Sequence, residues 1–440
     1  MRYLLIFCLF VLNSCSFDNK TGIWNNGNNI VNKKKNIYEE FRTLSSNRVL
    51  FDKTIPFKKN FQFKKFLITE NSKWIDIFYD ETNNFKNYKL KEKNQDLFKS
   101  RKISKYETSD YILLDNENIF TNDIKGNLII FSILDNNVIQ KYNFYKKKYK
   151  KIEKKLNIVL DKNILFVSDN LGYLYSYDYN ANKILWAKNF KIPFRSNLKL
   201  LDNKIIAANQ NNDLFFLDKY SGEILKTIPT EENQIKNEFV SNISSSKDIS
   251  LFLNTYGSLY AINNENMKII WFINLNQSLD LNPSNLFEGN QIINDQEKVI
   301  VTSNRSLYVI DIFTGKINLK KNFSSSIKPM MISDYLFVIT KNDFLVCVNL
   351  RDGSIIYSYN LNQLIANYYN VKKRKAEFKS LIMANNKILV FLKNSFVLKF
   401  NISGSLEEVI KLPTKLKTQP IIVNKSILYL DKNKKLSILN

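Results

Sequence analysis

Gly172-Tyr173-Leu174-Tyr175-Ser176-Tyr177-Asp178 is followed down the chain by Gly257-Ser258-Leu259-Tyr260-Ala261-Ile262-Asn263 and then by Arg305-Ser306-Leu307-Tyr308-Val309-Ile310-Asp311. Weaker copies fill the gaps and place equivalent apolar positions at Leu128, Leu174, Leu214, Leu259, Leu307, Leu345, Phe396 and Leu436, between 38 and 51 residues apart. A period of roughly 40 to 50 residues built from short strands is the signature of propeller blades, because the other common repeats are helical or shorter. Eight units predict an all-β, eight-bladed propeller.

One unit reads as strand, turn, strand, turn, strand. Ile164 to Ser168 is a buried run, and Asp169-Asn170-Leu171-Gly172 supplies turn residues that tolerate positive φ. Tyr173 to Tyr177 then alternates sides of a strand, and a second polar turn leads into Lys183-Ile184-Leu185-Trp186. That second turn carries a glycine in later units, at Gly222, Gly315 and Gly353. Trp186 lies 14 residues after Gly172, and Trp271 lies 14 after Gly257. The two tryptophans therefore hold one structural slot, occupied elsewhere by Leu319 or Tyr357, and the expected role is packing one blade against the next.

The chain has 440 residues, 44% of them apolar, and a formal charge of +24. A nucleic-acid partner does not follow from that charge. Lysine is scattered through every unit together with asparagine, and no recognised nucleic-acid module is present. At the N-terminus, Met1-Arg2 and the apolar run Tyr3 to Leu12 read as a signal peptide, too short to span a bilayer as a helix. Residues 1–14 are expected to be that signal, 15–60 a flexible tether rich in Asn and Lys, and 61–440 the propeller. A basic tether beside a membrane would be drawn to anionic lipid.

Chemistry is scarce. The chain has no histidine and three cysteines, of which Cys8 falls in the signal and Cys347 lies between Val346 and Val348 in a predicted strand. The commonest general base and a thiolate zinc site are both missing, and none of the glycine motifs that cradle phosphate occurs. The acid pairs Glu231-Glu232 and Glu407-Glu408 fall in predicted loops or turns and read as solvated surface. No catalytic or metal-binding residue is proposed.

Leu12-Asn13-Ser14-Cys15 resembles a bacterial lipobox, which implies a lipidated Cys15 at the start of the mature chain, and Ser16 in place of aspartate implies the outer membrane. The Asp218 to Lys226 and Asp311 to Leu319 segments resemble the repeats of quinoprotein dehydrogenases. The chain has no adjacent cysteines for the vicinal disulfide against which the alcohol dehydrogenases stack pyrroloquinoline quinone (PQQ). With the lipobox and tether, the whole pattern resembles the BamB family of outer-membrane β-barrel assembly lipoproteins, with PQQ-like repeats and no cofactor. That resemblance implies a non-enzymatic scaffold at the periplasmic face of the outer membrane, bound to the POTRA domains of BamA and serving unfolded outer-membrane proteins. Asn71-Ser72-Lys73-Trp74 resembles the family's opening strand, and Trp74 to Tyr79 is expected to help complete the short eighth unit. Pro193-Phe194-Arg195-Ser196 resembles the family's BamA-docking loop, with Phe194 as apolar anchor and Arg195 as charged contact. A PQQ- and calcium-dependent dehydrogenase and a generic periplasmic propeller binding another envelope protein or a glycan are the alternatives.

Overall fold

Short alternating runs joined by tight turns can only pair with their neighbours, and each repeat folds as four antiparallel strands laid side by side in chain order. Eight such sheets form the blades of a propeller. In the computed structural model, blades 1 to 7 span 113–143, 156–189, 199–228, 242–274, 293–321, 330–360 and 378–411. Blade 8 takes three strands from 421–439 and its outermost strand from Asp96–Lys102. The structure describes residues 51–91, 96–232, 240–276, 287, 289–303 and 305–440, and the backbone of a strand pair, Cys15–Phe17 with Trp24–Asn26. The signal segment and most of the tether lie outside the described residues.

Three expectations are corrected. Blade 8 is closed by Asp96–Lys102 and not by Trp74 to Tyr79, so the first and last parts of the chain share one sheet. Leu97 on that strand is half exposed, and its lysines blur the apolar alternation that would have marked it. The tether boundary also moves. Residues Leu50–Asn440 form one compact unit, and Ile55 exchanges backbone hydrogen bonds with Ser358 on the outer strand of blade 6 at 3.0 and 2.9 Å. Phe57, Phe61 and Phe63 follow, with Phe63 packed on Tyr335 at 4.9 Å between ring centroids. The repeat register shifts by one residue in blade 7. Val397, two positions after the positive-φ residue Ser395, fills the buried slot, and Phe396 points to the other side.

The slot shared by Trp186 and Trp271 joins blade to blade. Each lies on an outer strand opposite the last residue before a β-bulge. The Trp186 ring lies against Gly222 of blade 3 and its Nε1–H donates to Lys219 O at 3.1 Å. Trp271 repeats this on Gly315 of blade 5, donating to Ile312 O at 2.9 Å. Leu319 meets Gly353, and Tyr357 meets Gly404, in the same way. Where the slot holds Gln140 or Lys226, the next blade carries Asn182 or Met267 at the corresponding positive φ. Glycine thus appears in this turn where the preceding blade delivers a bulky group.

A Cβ on Gly315 would stand 2.7 Å from Trp271 Cδ2, on a backbone with φ of +72°. Gly315→Ala should therefore cost about 2–4 kcal/mol, combining the left-handed backbone with overpacking. In a Trp271→Ala background the same change should cost clearly less. Urea unfolding of the four members of this cycle measures the coupling, and additive costs would refute the docking account.

Candidate functional site

A ring of sheets leaves the inner strand of every blade with an unpaired edge facing the axis. Buried backbone groups there need partners. The chain supplies them from residues 69–91, which visit the blades one after another. Asn424 N–H of blade 8 donates to Asn71 O at 2.8 Å, Trp74 exchanges two bonds with Leu114 of blade 1, and Leu160 N–H of blade 2 donates to Ile75 O at 2.9 Å. Lys199 of blade 3 donates to Asp76 and to Asp80 O. Ser245 and Asn294, from blades 4 and 5, donate their N–H groups to Glu81 O and Thr82 O. The Asn84 side chain pairs with both backbone groups of Met331 in blade 6. Asn87–Tyr88 lies parallel to the inner strand of blade 7, and Lys91 N–H returns to Lys425 O in blade 8. The segment makes one full circuit of the axis.

Asparagine suits this path because its amide can stand in for a peptide group. Asn83 Nδ2 donates to Ile243 O and Ile292 O, at 2.8 and 2.9 Å, and so ties blade 4 to blade 5. Trp74, Phe85 and Tyr88 fill the apolar space, all buried. Two lysines share it. Lys199 Nζ sits 2.7 Å from Asp76 Oδ2 with both side chains out of water. Burial lifts the Asp76 carboxyl above its ordinary range, against the pull of Lys199. Lys328 Nζ donates to Asn83 O at 2.6 Å and stands 3.3 Å from the Phe85 ring centroid. Burial, and then the charge of Lys199, hold its ammonium well below the ordinary lysine value.

This axis does not fit a quinone and its calcium. The circuit's own side chains occupy the middle of the ring, and among the described residues no group of three acidic, cysteine or histidine side chains could hold a metal ion. Cys347 is buried in blade 6, and no second described cysteine side chain stands beside it.

The remaining sequence candidates are dispersed. Phe194 is 2% exposed and packs against Phe190 at 5.2 Å between centroids, inside the joint between blades 2 and 3. Its neighbour Arg195 is half-buried and donates to Gln210 Oε1 at 3.3 Å, while its Nε is buried without a partner. Only the backbone of Cys15 is described. Glu231 accepts from Ser258 Oγ at 2.6 Å. Glu407 and Glu408 lie on the outer strand of blade 7, where turn residues were expected, and Glu407 pairs with Lys387. The sequence reading missed the axial circuit altogether. Its signal was the density of asparagine and aromatic residues between Asn71 and Tyr88, masked by a chain rich in both.

Residues 146–359 match the sequence model of the family described as outer membrane protein assembly factor BamB. The BamB structure from Moraxella catarrhalis superposes with a TM-score of 0.61 at 12% identity, covering 79% of this chain and 99% of that one. Quinohemoprotein alcohol dehydrogenase from Comamonas testosteroni gives 0.60 at 10% identity, with 84% and 80% covered. A europium-containing methanol dehydrogenase gives 0.58 at 9% identity, with 83% and 89% covered. No curated protein matches the chain. The fold is a BamB-like propeller, and quinoprotein enzymes share it.

Lys199→Met should cost about 3–5 kcal/mol, because it leaves Asp76 buried and unpaired. Adding Asp76→Asn should recover part of that loss in urea unfolding; no recovery would mean that the pair is not coupled. A second expectation concerns Lys328. As pH rises toward the ordinary lysine value of 10.5, the unfolded chain still binds a proton that the folded chain has lost. Stability contributed by this site must therefore climb with pH. Lys328→Met should remove that climb in unfolding measured from about pH 7 to pH 9, and parallel curves for the two proteins would contradict it.

Proposed function

We propose that this chain is a BamB-type scaffold lipoprotein, held by a lipidated Cys15 at the periplasmic face of the outer membrane and acting without catalysis in the assembly of outer-membrane β-barrels. The observation that carries this reading is the match of residues 146–359 to the BamB family, a span that contains the Pro193–Ser196 loop. The filled axis supports it from the other side, since the residues there do not suit the quinone chemistry of the enzymes that share the fold. Attachment is assigned to an acylated Cys15 by the lipobox that precedes it; among the described residues no helix is long and apolar enough to cross a membrane.

In this reading the ring is a rigid frame that presents loops to the POTRA domains of BamA, and to unfolded outer-membrane proteins delivered there. Phe194 sets the shape of the docking loop from within the core, and Arg195 makes the contact. Arg195 is only half-buried, so the part of its guanidinium that reaches the surface is what a partner's carboxylate or carbonyl would meet. Nucleic acid has no part in it.

Arg195→Ala should weaken retention of the propeller on BamA POTRA domains by about tenfold or more, with unchanged melting. Phe194→Ala would be a poorer test, because emptying a core site costs about 3–5 kcal/mol by itself. Retention equal to the parent protein, or none by either, sinks the proposed interface.

A further inference from the structure

Between blades 6 and 7 the chain leaves the strand pattern and forms a helix, α1 (Leu361–Tyr369), the longest among the described residues. Asn360 caps its first turn, accepting from Gln363 N–H at 3.0 Å, and Asn370 closes it in the left-handed region. Leu361 and Ala366 are buried, so the helix is seated on the ring. Its last turn turns outward. Tyr368, Tyr369 and Val371 are 48%, 45% and 57% exposed, and the run Lys372-Lys373-Arg374-Lys375 follows with every residue exposed.

Among the described residues none of these four cations forms an ion pair, and the acid nearest in sequence, Glu377, pairs with Lys393 at 3.3 Å. Asn362 pins the far end of the run, accepting from Ala376 N–H and donating to Asp343, both at 2.8 Å. The loop is therefore displayed by fixed ends. Beside it opens a cleft of about 550 Å³ lined by Lys341, Lys375 and Lys393 together with Asp343 and Glu377.

We infer that this α1 loop is a docking patch for anionic phospholipid at a bilayer surface. The chemistry is that of an interfacial site: a cationic run for phosphate headgroups, with two half-exposed tyrosines and a valine at the level where a bilayer turns from polar to apolar. An acidic protein surface would use the cations but has less need of that exposed apolar rim. Placement agrees. The strands of each blade alternate in direction, so blade-to-blade connections and the turns between second and third strands share one face of the ring. The α1 loop is such a connection, and Phe51 meets this same face, accepting from Asn342 Nδ2 in blade 6 and packing on Phe323. Phe51, the first described residue of the ring unit, therefore lies on the same face as the patch; the patch itself does not depend on the acylation proposed above.

The test uses the soluble unit Leu50–Asn440, which closes its own ring and has no acylated cysteine. Co-sedimentation is measured with vesicles of phosphatidylethanolamine alone and with added phosphatidylglycerol. Binding should require phosphatidylglycerol and weaken as salt is raised. The variant Lys372→Gln/Lys373→Gln/Arg374→Gln/Lys375→Gln should lose about a hundredfold or more in affinity. Tyr368→Ser/Tyr369→Ser should lose affinity in a way that salt does not mimic. Lys146→Gln/Lys147→Gln/Lys148→Gln, on another loop, should retain most of it, with the fold of each variant checked by circular dichroism. Equal binding to both vesicle types, an unaffected quadruple variant, or capture by an acidic envelope protein without vesicle binding would overturn the assignment.

Discussion

The axial edge is the constraint from which the rest of this structure follows. Eight sheets set round an axis bring eight inner strands together, and each brings backbone N–H and C=O groups that water cannot reach freely once the middle is filled. The chain answers with its own residues 69–91. Where the path runs along a strand, as at Trp74 and Leu114, peptide groups pair directly. Where it must turn, asparagine amides and lysine ammonium groups reach the edges instead, as at Asn83, Asn84 and Lys199. A polar axis of this kind is stable only when most of its groups are satisfied, because a lone buried charge or amide costs more than an apolar side chain would; Trp74 Nε1, Asn83 Oδ1 and Tyr88 OH are the side-chain groups of the circuit buried without a hydrogen-bond partner.

That solution couples the two ends of the chain. The axial circuit begins and ends on blade 8, and the strand that follows it, Asp96–Lys102, completes blade 8 against Lys435–Leu439. The last blade cannot be finished, nor the axis filled, until residues more than three hundred positions apart have met. Contacts of such separation are slow to form because loop-closure entropy precedes any gain from pairing. The blade-to-blade joints act locally by comparison. A tryptophan, leucine or tyrosine on one outer strand closes over a glycine in the next blade's turn, and each such joint can form as soon as two consecutive blades exist.

The blades were legible in the sequence because each states its pattern in a few adjacent residues: a positive-φ turn residue, a buried position two further on, and a bulky slot about fourteen residues after the turn. Physical repetition made the signal robust to a one-residue error such as Phe396 for Val397. The circuit was not legible, since it occurs once, has no period, and is written in asparagine, lysine and aromatic residues that are common throughout the chain. Helix α1 escaped for a similar reason. Nine residues with only two wholly buried apolar side chains carry too little periodicity to stand out. The role read into Phe194 illustrates a different limit: a motif gives the residue type, while burial decides whether that side chain faces a partner or holds a loop in place.

With the axis filled, the proposed function rests on the loops, and their positions matter. Pro193–Ser196 connects blades 2 and 3, and the α1 loop connects blades 6 and 7, both on the same face. Four blades of eight separate them, so they stand half a turn apart. A partner held at Arg195 and a bilayer touched at Lys372 to Lys375 would meet one face at opposite points of its rim and need not compete. The joint between each pair of blades is stiffened by a docked side chain or a closed axial bond, so tilt imposed at one rim is carried to the other. Under the proposed function the ring would serve as a spacer, fixing the angle at which its partner meets the membrane, a task for which a plugged axis is better suited than an open one.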